Sequence, residues 1–212
     1  ESYAWDIYKF SKQLLDSSPS NVDRVKRNIN DYLHLTVGKP SLLHSLFLQL
    51  AVRCNKEDKL RLLSFLPLWN LDFLSEEDWE RYIDESKKEY PSKAEVAIQR
   101  AAKEASSSKN TRELEYLLPY VDAAMEHHSD NQWLLFSKAK ILMSLGKYDE
   151  AFSFAIGGVK AKVREYWAWE LLGDVCLKTN TDHALSCYCK ALMCSSDVNF
   201  TAKVRLKLAS LL

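Results

Sequence analysis

The C-terminal half of the chain repeats itself at a step of 33 to 34 residues, and this constrains the fold more than any other feature. Trp133 and Trp167 lie 34 apart, as do Ala139 and Gly173, while Ala151 and Ala184 lie 33 apart, as do Gly158 and Ala191. A one-residue deletion in the turn of the second unit reconciles the two spacings. A period of this length marks stacked supersecondary units. One unit cannot bury its own apolar face, so about three are required for a stable stack.

The units read as helices. Apolar residues recur at three and four along the whole chain, and long alternating β-branched runs and Asn-Gly or Asp-Gly turns are missing from the sequence. With only five glycines and five prolines, the breaks are easy to place. Helices are predicted over 2–16 and 21–36, and over 41–54, where the sequence is apolar almost all round and so suits a central position. A short helix from Glu57 to Phe65 is expected to stop near Pro67, and acids at Glu76, Glu77 and Asp78 suit the first turn of another. Pro91 closes an N-terminal helical region, 1–90. The box Ser92-Lys93-Ala94-Glu95 opens the repeat region, 91–212. Further helices follow from Asn110 (with Glu113) to about His127, and over 132–145, 148–162, 165–178, 181–194 and 199–211, the last as a capping helix. The links are short, as antiparallel helix pairs require. The expected fold class is all-α, an α-solenoid of helical hairpins with an N-terminal helical region.

Trp169-x-x-Leu172-Gly173 and Ala184-x3-Tyr188-x2-Ala191-Leu192 resemble the tetratricopeptide repeat pattern. The earlier unit fits through Ala139, Leu142, Leu145-Gly146-Lys147-Tyr148 and Ala151; it departs at Leu135, Ala155 and Val163. A degenerate hairpin at 92–128 completes the stretch. The resemblance implies a right-handed stack whose small residues mark close helix approach. It also implies that the first helix of each hairpin lines a concave groove. The groove positions are Trp133, Phe136 and Lys140 in the first unit, and Trp167, Glu170, Asp174 and Lys178 in the second. Aromatic anchors flanked by charge suit a binding hot spot. Packing of the two tryptophans as core is the competing reading.

Pro40-Ser41-Leu42-Leu43-His44-Ser45-Leu46, Tyr166–Leu172, Ala184–Leu192 and Val204–Ala209 also resemble a bacterial family of helical-repeat proteins. That family is associated with so-called TOTE conflict systems, predicted anti-invader loci. The resemblance implies a cytoplasmic adaptor or regulator. Both ends of the chain read as cut from something longer.

Composition removes several function classes. Lys+Arg and Asp+Glu both number 29, so no overall field draws the chain onto nucleic acid. Apolar runs fall far short of a membrane span, and the first residues do not read as a signal peptide. Five cysteines, four of them near the C-terminus, do not form a secreted disulfide framework. Cys187 and Cys189 point to opposite sides of a helix, so with His183 and Cys194 they do not read as a metal site, and the cysteines read as buried free thiols. His44 reads as a hydrogen-bonded core histidine, and His127-His128 as a helix-end pair. Gly157-Gly158 reads as close packing rather than a phosphate loop. No catalytic, metal or cofactor site is expected, and the chain is not expected to be an enzyme. The expected partner is another protein or peptide, with self-association through the same apolar surface as a further role. The alternatives are nucleic-acid binding through Lys160, Lys162, Arg164, Lys203, Arg205 and Lys207, and an enzyme without a recognisable motif.

Overall fold

The computed structural model describes residues 2–57 and 59–211. Within them the fold is all-α: twelve α-helices, one 3-10 turn and one minimal hairpin. The chain divides into two compact units, Glu1–Glu104 and Ala105–Leu212.

In the first unit α1 (Ser2–Asp16), α2 (Val22–Leu33) and α3 (Leu42–Lys56) pack against one another. Side chains of Asn21 and Ser41 cap α2 and α3, accepting from the amides of Arg24 and His44 at 3.1 and 3.3 Å. α3 is the central element: Phe47, Leu48, Ala51 and Cys54 are wholly buried. Tyr32 stacks on Phe47 with ring centroids 3.7 Å apart. The Tyr32 hydroxyl donates to His44 Nδ1 (2.9 Å), because His44 Nε2 carries the proton that it donates to the Trp69 carbonyl (3.0 Å). Trp69 Nε1 donates back to the His44 carbonyl at 3.0 Å. Burial drives the His44 pKa down to about 4, against the opposing pull of the Trp69 carbonyl.

The helix expected to stop near Pro67 instead runs through it, as α4 (Leu62–Trp69), and begins five residues later than Glu57. Arg61 provides no side-chain cap there. Glu104 of α6 (Lys93–Ala105) does so from a distance, accepting from the amides of Leu62 and Leu63 at 3.1 Å each. A carboxylate at this end satisfies orphan N–H groups and the helix dipole together. Pro67 removes one hydrogen bond of the ladder, and the Glu104 bonds hold the start of the same helix from outside it.

After the 3-10 turn Leu71–Phe73, α5 is a single turn, Glu76–Trp79, closed by a Ser75/Asp78 capping box. Asp78 is fully buried rather than solvated. It accepts from Ser45 Oγ at 2.7 Å, the Ser75 amide at 3.1 Å and Lys93 Nζ at 3.0 Å. Burial works against its charge, but the bonds from Ser45, Lys93 and Ser75 prevail and hold it below the usual carboxylate range. A hairpin the sequence did not announce follows: β1 (Tyr82–Ile83) antiparallel to β2 (Glu89–Tyr90). Its turn uses neither Asn-Gly nor Asp-Gly. Asp84 Oδ1 accepts from the amides of Ser86 and Lys88, and Lys87 adopts φ 62°. The Ser92/Glu95 capping box forms as its spacing predicts, and Arg81 binds Glu95 bidentately at 3.0 and 2.9 Å. α6 lies in the first unit, so the segment 92–128 spans the boundary between units.

The second unit contains α7 (Thr111–His127), α8 (Gln132–Ser144), α9 (Tyr148–Ala161), α10 (Tyr166–Cys176), α11 (Thr181–Cys194) and α12 (Val198–Ala209). α7 opens without a side-chain cap from Asn110; Glu113 instead accepts from Ser108 Oγ at 3.0 Å. α8 pairs with α9 and α10 with α11, and α9 and α10 join the two hairpins. Gly146, at φ 75°, ends α8 where a side chain would be strained. Each hairpin closes on a glycine facing a ring. A Cβ at Gly158 would lie 2.4 Å from a Phe136 carbon, and one at Gly173 2.5 Å from a Tyr188 carbon.

Gly157 and Gly158 are neighbours in α9 with opposite surroundings. A Cβ at Gly157 would meet only Leu135, at 3.9 Å, an ordinary contact. Alanine in a helix interior is favoured over glycine by about 1 kcal/mol, whereas overpacking a core costs about 1–3 kcal/mol. Gly157→Ala should therefore raise stability by roughly 0.5–1 kcal/mol, and Gly158→Ala should lower it by about 1–2 kcal/mol. Urea midpoints that moved in the same direction would refute the packing account. For His44, the unfolded imidazole titrates near 6.5 and the folded one near 4. As pH falls through this window the unfolded state takes up the proton first, so stability is lost, by up to roughly 3 kcal/mol. Urea unfolding between pH 7 and 4 checks this, together with an His44 imidazole signal that stays neutral to below pH 5.

Candidate functional site

The first helices of the two hairpins, α8 and α10, carry the residues singled out by the repeat register except Lys178, which lies in the turn just past the end of α10. Trp133 and Trp167, in their first turns, stack with centroids 5.4 Å apart and planes 19° from parallel. Phe136 meets Trp167 edge-on at 4.7 Å. The three rings form one cluster with unequal exposure. Phe136 is only 6% exposed, wedged against Gly158, while Trp133 is 51% exposed. Trp167 lies between, its Nε1 donating to Glu165 Oε2 at 3.1 Å.

One and two turns further along α10, Glu170 and Asp174 form an acidic pair that the chain itself occupies. Lys207 of α12 places its Nζ 2.7 Å from Glu170 Oε1 and 2.7 Å from Asp174 Oδ1. The Tyr188 hydroxyl also donates to Asp174 Oδ1, at 2.8 Å. Burial opposes the charge on Lys207, but the bonds to Asp174 and Glu170 prevail and raise its pKa. Burial and the adjoining Asp174 carboxylate push the Tyr188 phenol up as well. Lys140 and Lys178 differ from these: both are exposed and have no ion-pair partner among the described residues.

The structure thus brings Trp133, Phe136 and Trp167 together and gathers Glu170 and Asp174 around a lysine. It leaves Lys140 and Lys178 to solvent. Tyr188 and Phe200 were not among the expected site residues, and Lys207 stood only in the alternative basic set. The signal for two of them lay in the repeat itself. One further step of 33 residues carries Trp167 to Phe200 and Asp174 to Lys207, so α12 holds the positions of a third first helix. Of the basic residues, Lys207 is committed internally while Lys160, Arg164, Lys203 and Arg205 are exposed.

No group of three or more metal-ligating side chains occurs among the described residues. Cys176 and Cys187 are buried, and burial first, then the neighbouring Cys176, pushes the Cys187 thiol up to about 12. Cys189 is exposed on the opposite side of α11. No described helix is long and apolar enough to cross a membrane.

Comparison with known proteins adds to this geometry. Over its full length the structure is similar to that of a thermophilic TPR protein from Thermus thermophilus, with a TM-score of 0.51, 13% sequence identity, and 98% of each chain covered. The fold is tetratricopeptide-like. Residues 132–212 match a family model described as a domain of unknown function, DUF7017. No curated protein matches the chain.

The Lys207 bridge generates a quantitative expectation. Replacing Lys207 by methionine leaves two partly buried carboxylates facing each other without a counter-ion. Losing one partner of a buried pair costs about 3–5 kcal/mol. The Lys207 side chain, however, is 34% exposed, so water screens the pair and about 1–2 kcal/mol is expected. Lys207→Met should therefore lower the urea midpoint at low salt, and high salt, which screens the repulsion between the two facing carboxylates, should shrink the loss. An equal loss at low and high salt would mean that Lys207 acts by packing alone.

Proposed function

We propose that the chain is a protein-binding module, an adaptor rather than an enzyme, and that a partner docks across the α8 and α10 face. The observation that carries this reading is the half-exposed Trp133 indole held flat on Trp167. A prefixed aromatic ring gives contact area at low entropic cost, and such rings dominate interface energies. Lys140, two turns further along α8, and Lys178, just past the end of α10, are exposed charges with no ion-pair partner among the described residues. In this reading they and the two tryptophans touch the partner, while Phe136, Glu170 and Asp174 hold the face in shape. A tetratricopeptide-like fold is in keeping with a binding role. The resemblance to the TOTE-associated family motivates a finer proposal: a cytoplasmic adaptor in a bacterial anti-invader system. A second copy of the chain is one partner the same face would accept.

Affinity capture from a lysate of the source organism, at low and high salt and with a nuclease-treated arm, tests the reading. A single protein retained at high salt and after nuclease is expected. Trp133→Ala should weaken its binding by more than about 1 kcal/mol, roughly fivefold. Lys140→Glu with Lys178→Glu should do the same while leaving the unfolding midpoint within about 0.5 kcal/mol of the parent. Capture that disappears with nuclease, or survives all three substitutions, would overturn the assignment.

A further inference from the structure

A second feature of the same unit lies away from Lys140 and Lys178, where α10 begins beside α12. A cavity of about 320 Å³ is bounded there by Arg164, Glu165, Tyr166, Trp167, Ser195 and Phe200, among others. Tyr166 and Phe200 are close to parallel, 19° apart in plane, with centroids 6.5 Å from each other. A planar group between them needs two contact distances of about 3.5 Å each, roughly 7 Å in all, so the rings must part slightly to admit one. Phe200 is 65% exposed, so its ring is accessible to a ligand.

The charges around the rings select among planar ligands. Arg164 and Lys203 are both exposed and have no ion-pair partner among the described residues. Lys203 stands one turn beyond Phe200, on the same side of α12. Together they favour a ring that carries a negative group. Glu165 has Oε2 bonded to Trp167 Nε1, leaving Oε1 to accept from a ring amino group. The volume lies at the lower end of small-molecule sites. It holds one ring system with its sugar and phosphate, not two.

We propose that this slot binds a single nucleobase with its 5′-phosphate, the base between Tyr166 and Phe200, its amino edge toward Glu165, and the phosphate toward Arg164 and Lys203. The ligand is either a free mononucleotide or one residue of a single strand, since both present the same chemistry. The proposal does not rest on the protein-binding reading, because its variants lie on different residues.

The test is calorimetric titration with 5′-AMP, alongside fluorescence anisotropy of a labelled single-stranded oligo(dA) probe. Saturable binding is expected for at least one of them. Phe200→Ala, at an exposed position, should weaken it about five- to a hundredfold, the usual effect of losing one stacking partner. Arg164→Glu should weaken it and flatten its salt dependence, and both variants should unfold at the parent midpoint. AMP binding equal to that of the strand assigns a free nucleotide; binding of the strand alone assigns a single-stranded nucleic acid. Absence of saturable binding by either probe, or binding unchanged in both variants, overturns the site.

Discussion

The second unit depends on two places where a helix backbone comes up against an aromatic ring. Phe136 lies on Gly158 and Tyr188 lies on Gly173, and in neither place is there space for a Cβ. The arrangement is reversed between hairpins. In the first the ring is on the first helix and the glycine on the second; in the second hairpin the roles exchange. Either way one large side chain fills the gap between paired helices, and the small residues around it, Ala139, Ala151, Ala155, Ala184 and Ala191, let the backbones close over it. Tyr188 then does more than fill space. Its hydroxyl fixes Asp174, and Asp174 with Glu170 receives Lys207, so the packing of α10 on α11 also sets where α12 is held.

The first unit is held by different means. Its connections are irregular, and irregular backbone leaves N–H groups without helical partners. Three carboxylates answer this. Glu104 accepts from the start of α4, Asp78 from Ser75, and Glu95 from Ser92. Two of them are also bonded by a cation, Lys93 for Asp78 and Arg81 for Glu95, so their burial leaves no naked charge. His44 plays the corresponding neutral part, joining α2, α3 and the end of α4 through Tyr32 and Trp69.

What was legible in the sequence follows the same division. The repeats were readable because their packing is periodic: Ala139 and Gly173, or Gly158 and Ala191, occupy equivalent positions and so leave a regular trace. The capping box at Ser92 and Glu95 was readable because it is local. The course of α4 through Pro67 was not, because the group that stabilises its start, Glu104, lies 42 residues away in the chain. The Asp84 turn was hidden because an Asx side chain replaces the glycine that usually signals a hairpin. At the candidate face, the register located Trp133 and Trp167. It could not show that Phe136 points into the core or that Lys207 already sits on Glu170 and Asp174. Both depend on side chains meeting across helices.

The cysteines of α11 give the second hairpin a built-in gauge of its own opening. A thiol reacts as thiolate, and burial holds the Cys176 and Cys187 thiols far from that state while Cys189 stands in solvent on the same helix. Labelling at Cys187 must wait until α10 and α11 part, whereas labelling at Cys189 proceeds in the intact fold. Where reclosing outpaces labelling and the two thiols are equally reactive once exposed, the ratio of the two rates follows how often Cys187 is uncovered, with no residue added to the chain.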